Sequence, residues 1–354
     1  MTSMRIVATM VAVLAVGCGD NKEPVVNDAA VDAPDLAIER GRYIMNNLGA
    51  CTFCHTPLLP DGSRDNTKLL AGFNCFIDAA PPGTPANMLP PGVPDSAFGC
   101  LSSRNLTNHE TGLKNATDQQ IKDAIRNGNG VDGRKLIPVM PYWVFHNMTE
   151  SDLDDVIAYM RTVPGVDNRI PPNQEPWLSI NTNGPLATPV DPADIPLPMP
   201  GPNSASAMRG RYLSSMAGLC MDCHTPDRPP TVMGPTLFPQ PIDPTLAFSG
   251  GRMFRKEDLG LVMPGFNYPA MIATRNLTTH ATGLGGWTVD QIKRAISEGK
   301  DRDGNAVCAA THGSLISPYA ALDPDDLTDI ANYIASLPPV DHDTGTNCAG
   351  PAVP

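Results

Sequence analysis

The chain has 354 residues and carries 25 Lys and Arg against 37 Asp and Glu, a net charge of -12. So acidic a balance argues against a nucleic-acid backbone as partner. The length suits about two domains with extras, and 38 prolines with only 5% aromatic residues predict long irregular connections rather than extensive sheet.

Near its start the chain carries Arg5, an apolar run from Ile6 to Val16, and Gly17-Cys18. The run is too short to span a bilayer and fits the apolar core of a signal peptide over residues 1–18. Leu14-Ala-Val-Gly-Cys18 resembles the bacterial lipoprotein box. That resemblance implies lipidation of Cys18 and a place on the periplasmic side of a bacterial membrane, with ordinary cleavage as the alternative. Gly19 stands where an inner-membrane retention signal carries aspartate, which points toward the outer membrane. Residues 19–34 are acidic and rich in small residues, and read as a flexible tether.

A helix is predicted from about Leu36 to Leu48. It runs into Cys51-Thr-Phe-Cys-His55. This C-x-x-C-H spacing is that of c-type haem attachment. Both sulfurs can form thioethers with one porphyrin, and the histidine then sits under the iron as proximal ligand. A structural zinc site or a redox dithiol are the alternatives. Zinc asks for about four ligands, and a dithiol has no use for the histidine.

Next come Arg104-Asn-Leu-Thr and His109. A second helix is predicted from a Thr117/Gln120 capping box to Gly128, and a third from about Thr149, with Asp152 three residues on. Residues 163–206 are dense in proline, so they cannot continue a helix or join a central strand. A semi-extended strap anchored by Trp177 and Leu178 is expected there. The series then repeats. Arg209-Gly-Arg-Tyr212 answers Arg40-Gly-Arg-Tyr43, and Cys220-Met-Asp-Cys-His224 answers the first motif at the same offset of 169 residues. Arg275-Asn-Leu-Thr and His280 follow, then a helix from Thr288/Gln291 to Gly299 and another over Asp323–Leu337. A repeat this long predicts two homologous domains.

These features resemble the class I cytochrome c family. The resemblance implies a mainly α fold with two tandem domains, 35–162 and 207–354, joined by the Pro-rich linker. In that family a glycine of the first helix meets an aromatic of the last. Gly41 with Tyr159 and Gly210 with Tyr333 fit those roles. His55 and His224 are then the proximal ligands of two covalently attached haems, held through Cys51, Cys54, Cys220 and Cys223. Pro138-Val-Met140-Pro141-Tyr-Trp143 is similar to the distal loop of cytochrome subunits of membrane-linked dehydrogenases, which implies Met140 as sixth ligand of the first iron. No methionine follows Met271. Ser314 or Ser317 aligns with Met140 there, and neither suits iron. His312, just upstream, is the expected ligand, with a five-coordinate iron as the alternative. Arg104 and Arg275 are expected near haem propionates or in surface ion pairs. His109 and His280 are expected to hydrogen-bond loop backbone or a haem edge rather than ligate iron.

Of the nine cysteines, Cys75, Cys100, Cys308 and Cys348 remain after lipid and haem are served. The simplest of three pairings joins Cys75 to Cys100 and Cys308 to Cys348. The implied function is an exported diheme cytochrome c. It passes single electrons between redox protein partners, a periplasmic dehydrogenase and a respiratory acceptor such as a terminal oxidase, and it meets the membrane through its lipid. The alternative is a diheme redox enzyme, of peroxidase or thiosulfate-oxidising type, with an open second haem. Spectra with cyanide or peroxide separate the two.

Overall fold

A computed structural model describes residues 33–60, 63–75, 77–78, 99–175, 177–183, 186–228, 240–255, 271–307, 312 and 318–345. With 42% helix and 5% strand among the described residues, the fold is mainly α.

Helix α1 covers Ala33–Tyr43 and passes into one π turn over Ile44–Leu48, which delivers the chain to the first motif. Such π turns concentrate at functional sites. The five-residue α2, Cys51–His55, is the motif itself. Helix α3, Asp118–Asn127, starts at the expected capping box, in which Thr117 and Gln120 satisfy each other's backbone N–H groups. It stops at Gly128, in the left-handed region at φ 70°. The short α4, Tyr142–Phe145, is wholly buried. Helix α5, Glu150–Thr162, is capped by Thr149.

Helix α6, Trp177–Asn183, lies inside the Pro-rich segment, where continuous extended chain is expected. No proline falls between Pro176 and Pro185, so this stretch can close helical hydrogen bonds. Side chains of α6 fasten the segment to the first half, and side chains of the second half hold its later part. Trp177 Nε1 donates to Gly99 O at 2.7 Å, and Asn181 Nδ2 to Lys135 O at 2.7 Å. Further along, Arg211 donates to the carbonyls of Pro192, Ile195 and Pro196, and Tyr333 Oη donates to Pro196 O at 2.8 Å.

The second half repeats the plan. Helix α7 is Ser204–Ser215, α8 is Cys220–Cys223, α9 is Val289–Glu298 with a second capping box at Thr288 and Gln291, and α10 is Pro324–Ile334. Among the described residues, three antiparallel two-stranded ladders pair β1 (Ile77–Asp78) with β2 (Cys100–Leu101), β3 (Asp227–Arg228) with β4 (Gln240–Ile242), and β5 (Met253–Arg255) with β6 (Met271–Ala273).

Two helix crossings organise the packing, α1 on α5 and α7 on α10. Each is made at a glycine. A Cβ at Gly41 would stand 1.8 Å from Asp155 O, and one at Gly210 would stand 1.9 Å from Asp329 O. The glycines therefore meet helix backbone, one turn before Tyr159 and Tyr333. The absent side chain lets the axes approach closely.

Candidate functional site

The first motif is built around the orientation of His55. Its Nδ1 lies 2.8 Å from Arg104 O, while Gly72 N donates to the His55 carbonyl at 2.8 Å. A carbonyl partner assigns the proton to Nδ1 and leaves Nε2 as the lone-pair nitrogen, the state a metal-ligating histidine needs. The buried Thr56 hydroxyl accepts from Leu70 N at 3.1 Å and fixes the loop opposite.

The second motif has the same geometry. His224 Nδ1 lies 2.8 Å from Arg275 O, Gly250 N donates to His224 O at 2.7 Å, and Thr225 accepts from Phe248 N at 3.1 Å. Burial lowers both histidines from the ordinary imidazole range, with the carbonyl partners opposing it. Both rings are thus kept neutral.

The thiols are pushed the other way. Burial raises Cys51 to about 12, Cys54 to about 11 and Cys220 to about 12, and raises Cys223 as well. A reactive dithiol needs the opposite shift. Among the described residues no group of three or more His, Cys, Asp or Glu side chains converges as a metal cluster would. The raised thiols with an adjacent neutral imidazole suit thioether attachment better than disulfide exchange.

The repeated Arg-Asn-Leu-Thr element turns out to serve through its backbone. The Arg104 and Arg275 carbonyls hold the two histidines, and the asparagine that follows locks the segment supplying them. Asn105 Oδ1 accepts from Thr107 N at 2.9 Å and Nδ2 donates to Val166 O at 2.9 Å. Asn276 does the same with Thr278 N and Val340 O, each at 2.9 Å. The recurrence of the tetrapeptide in the sequence was the available signal for this role, although the residue type pointed to the guanidinium. The Arg104 side chain donates instead to Ile170 O and Pro171 O. With Arg134 and Asn181 it lines a cavity of about 410 Å³. His109 and His280 turn inward on their own loops, each with Nδ1 2.9 Å from a threonine hydroxyl, Thr111 and Thr282.

The expected sixth ligands are placed differently. His312 lies beside His224, with ring centroids 6.0 Å apart, and stacks on Tyr319 at 5.4 Å. Two imidazoles sharing one metal through bonds of about 2 Å stand roughly 6 Å apart between centroids. His312 Nδ1 is buried without a hydrogen-bond partner, and burial together with His224 pushes the ring down to about 4. A neutral imidazole with an orphaned nitrogen is the kind of group a ligand completes. Met140 sits in the loop before α4, partly buried against the core, its N–H donated to Ile137 O at 2.9 Å. Met148 is core, 4% exposed. Ser314 and Ser317 lie outside the described residues.

The Cys75 and Cys100 α-carbons are 4.7 Å apart with their sulfurs at bonding distance. Cys18, Cys308 and Cys348 fall outside the described residues.

No protein-family model matches the sequence. Among curated proteins, the cytochrome c subunit of the quinone alcohol dehydrogenase of Komagataeibacter europaeus is 27% identical over 91% of this chain and 60% of its own length. The cytochrome c subunit of gluconate 2-dehydrogenase from Pantoea cypripedii is 25% identical over 86% of the chain and 60% of its own length. The chain is similar to the cytochrome c subunits of bacterial dehydrogenases. The fructose dehydrogenase cytochrome subunit of Gluconobacter japonicus is 29% identical over 54% of the chain and 35% of its own length. The chain thus spans about 60% or less of these relatives. The similarity supports covalently bound c-type haem.

Proposed function

We propose that the chain is a diheme c-type cytochrome, exported and lipid-anchored through Cys18, that relays single electrons from a periplasmic dehydrogenase toward a respiratory acceptor. The observation that carries this reading is the duplicated C-x-x-C-H whose histidine is held through Nδ1 in both copies. When bound, each haem supplies a one-electron iron couple. The chain's own residues attach it, keep the proximal imidazole neutral and oriented, and surround it with protein.

The chain is read as two cytochrome c domains, 35–162 and 207–354, with residues 163–206 as the strap between them. The repeated helix crossings and capping boxes support that division. Met140 is proposed as sixth ligand of the first iron. His312 is proposed for the second, supported by its distance from His224. A second iron closed by histidine is expected to sit at a lower potential than a His/Met neighbour, and it disfavours the peroxidase-type alternative. Disulfides Cys75–Cys100 and Cys308–Cys348 complete the proposal.

Mass measurement on the denatured protein tests the attachment. Two haems are expected to remain bound to the chain, and one in a Cys220→Ser, Cys223→Ser double variant. A chain that keeps both haems without those cysteines would remove the second site. For the first iron, Met140→Ala is expected to abolish the weak near-infrared methionine-to-iron band and lower one midpoint potential. An unchanged band would assign the ligand elsewhere.

A further inference from the structure

The two attachment motifs are not at opposite ends of the molecule. The turns that lead into them pass in contact. A Cβ built on Gly218 would stand 3.3 Å from Leu48 O, and one built on Gly49 would stand 3.6 Å from Ala217 O. Asn47 Nδ2 donates to Pro318 O at 2.7 Å, bringing the segment that carries Tyr319 onto the first half.

The contact is held by a reciprocal clasp. Tyr43 closes α1, and its hydroxyl accepts from Asp323 N, at the start of α10, at 3.2 Å. Tyr212 lies in α7, and its hydroxyl accepts from Thr149 N, at the start of α5, at 3.2 Å. Each tyrosine thus reaches the cap of the other half's last helix. Tyr212 Oη also donates to Asp152 Oδ2 at 2.5 Å. Tyr43 stands eight residues before Cys51, as Tyr212 does before Cys220, so each clasp is joined to a motif by the same short run of chain.

Arg40 is the asymmetric member. Its Nε pairs with Asp152 Oδ1 at 3.0 Å, and a terminal nitrogen reaches Asp326 Oδ2 across the halves at 3.3 Å. Asp326 is 3% exposed and is also paired with Arg209. An apolar contact permits sliding. An ion network around a buried carboxylate favours the arrangement in which that charge is matched, so its main effect is on registry rather than on net stability.

We infer that Arg40, with Tyr43 and Tyr212, is a positioning residue that holds the two haem-attachment motifs in one fixed mutual orientation for electron exchange inside the chain. The inference rests on the diheme reading and deepens it. It predicts that the pair works as one coupled unit.

The test uses the full haem-loaded chain. Mass first establishes two haems. Flash photoreduction then follows equilibration of the electron between them by absorbance. Arg40→Met is expected to slow internal equilibration by roughly tenfold, as follows if the exchange-competent registry falls to about a tenth of its population. Each haem's own spectrum should be kept, and Arg40→Lys should recover most of the rate. If Arg40→Met does not fold, the Tyr43→Phe, Tyr212→Phe double variant, which keeps both rings, is expected to slow exchange in the same sense. An unchanged rate in the folded variants overturns the inference while leaving the diheme reading in place. A single haem by mass overturns that reading and the inference with it.

Discussion

Gly41→Ala is expected to destabilise the chain by on the order of 3 kcal/mol or more, at the upper end of overpacking costs. The new methyl would lie 1.8 Å from Asp155 O and 2.9 Å from Val156 N, both backbone atoms of α5. Neither can swing aside as a side-chain tip can, so α1 and α5 must separate along their whole contact. The separation would also pull Arg40, the preceding residue, off Asp152. Gly210→Ala should behave alike against Asp329 O, at 1.9 Å. Thermal melting of the haem-loaded protein gives the measurement, and a melting temperature close to that of the parent for either variant would refute the close crossing. Because the motif begins ten residues after Gly41, reduced haem incorporation during maturation should accompany the loss of stability.

Tyr333→Ala is the second large effect, about 3–5 kcal/mol by comparison with other buried aromatic truncations. The ring is fully buried and packs edge-on against Phe248 with centroids 5.6 Å apart. Phe248 lies in the loop that Thr225 pins beside the second motif, at a left-handed φ of 62°. Truncation therefore opens a cavity between α10 and the wall of the second site. Tyr333→Phe separates the contributions. It keeps the ring and removes the hydroxyl's bonds to Pro196 O and Ser215, so a cost of about 1 kcal/mol is expected. Denaturant titration of both variants checks the ratio. Equal losses would mean that the hydroxyl and its hold on the Pro-rich segment, rather than packing, dominate.

Local rules carried the helix ends well. The Thr117/Gln120 and Thr288/Gln291 boxes form as expected, and Gly128 and Gly299 stop their helices in the left-handed region. Capping depends on residues within one turn of each other, so it can be read from sequence. The Pro-rich segment was legible as non-helical except where proline is absent, at Trp177–Asn183. The roles of Arg104 and Arg275 were not legible. A carbonyl is common to every residue, and only the fold decides which one faces His55 or His224. Likewise, the crossing glycines meet backbone, which no residue letter records.

The duplicated Cys51-Thr-Phe-Cys-His55 and Cys220-Met-Asp-Cys-His224 announce attachment chemistry without any coordinates, because thioether spacing and an adjacent imidazole are a matter of five consecutive residues. The mutual placement of the two motifs is another matter. It follows from Tyr43 reaching Asp323, Tyr212 reaching Thr149, and Arg40 spanning Asp152 and Asp326, pairs separated by 63 to 286 residues. His312 meets His224 by the same kind of long-range closure. Such contacts arise only once the helices have packed, since burial is what makes each unmatched charge or orphaned nitrogen costly enough to select one arrangement.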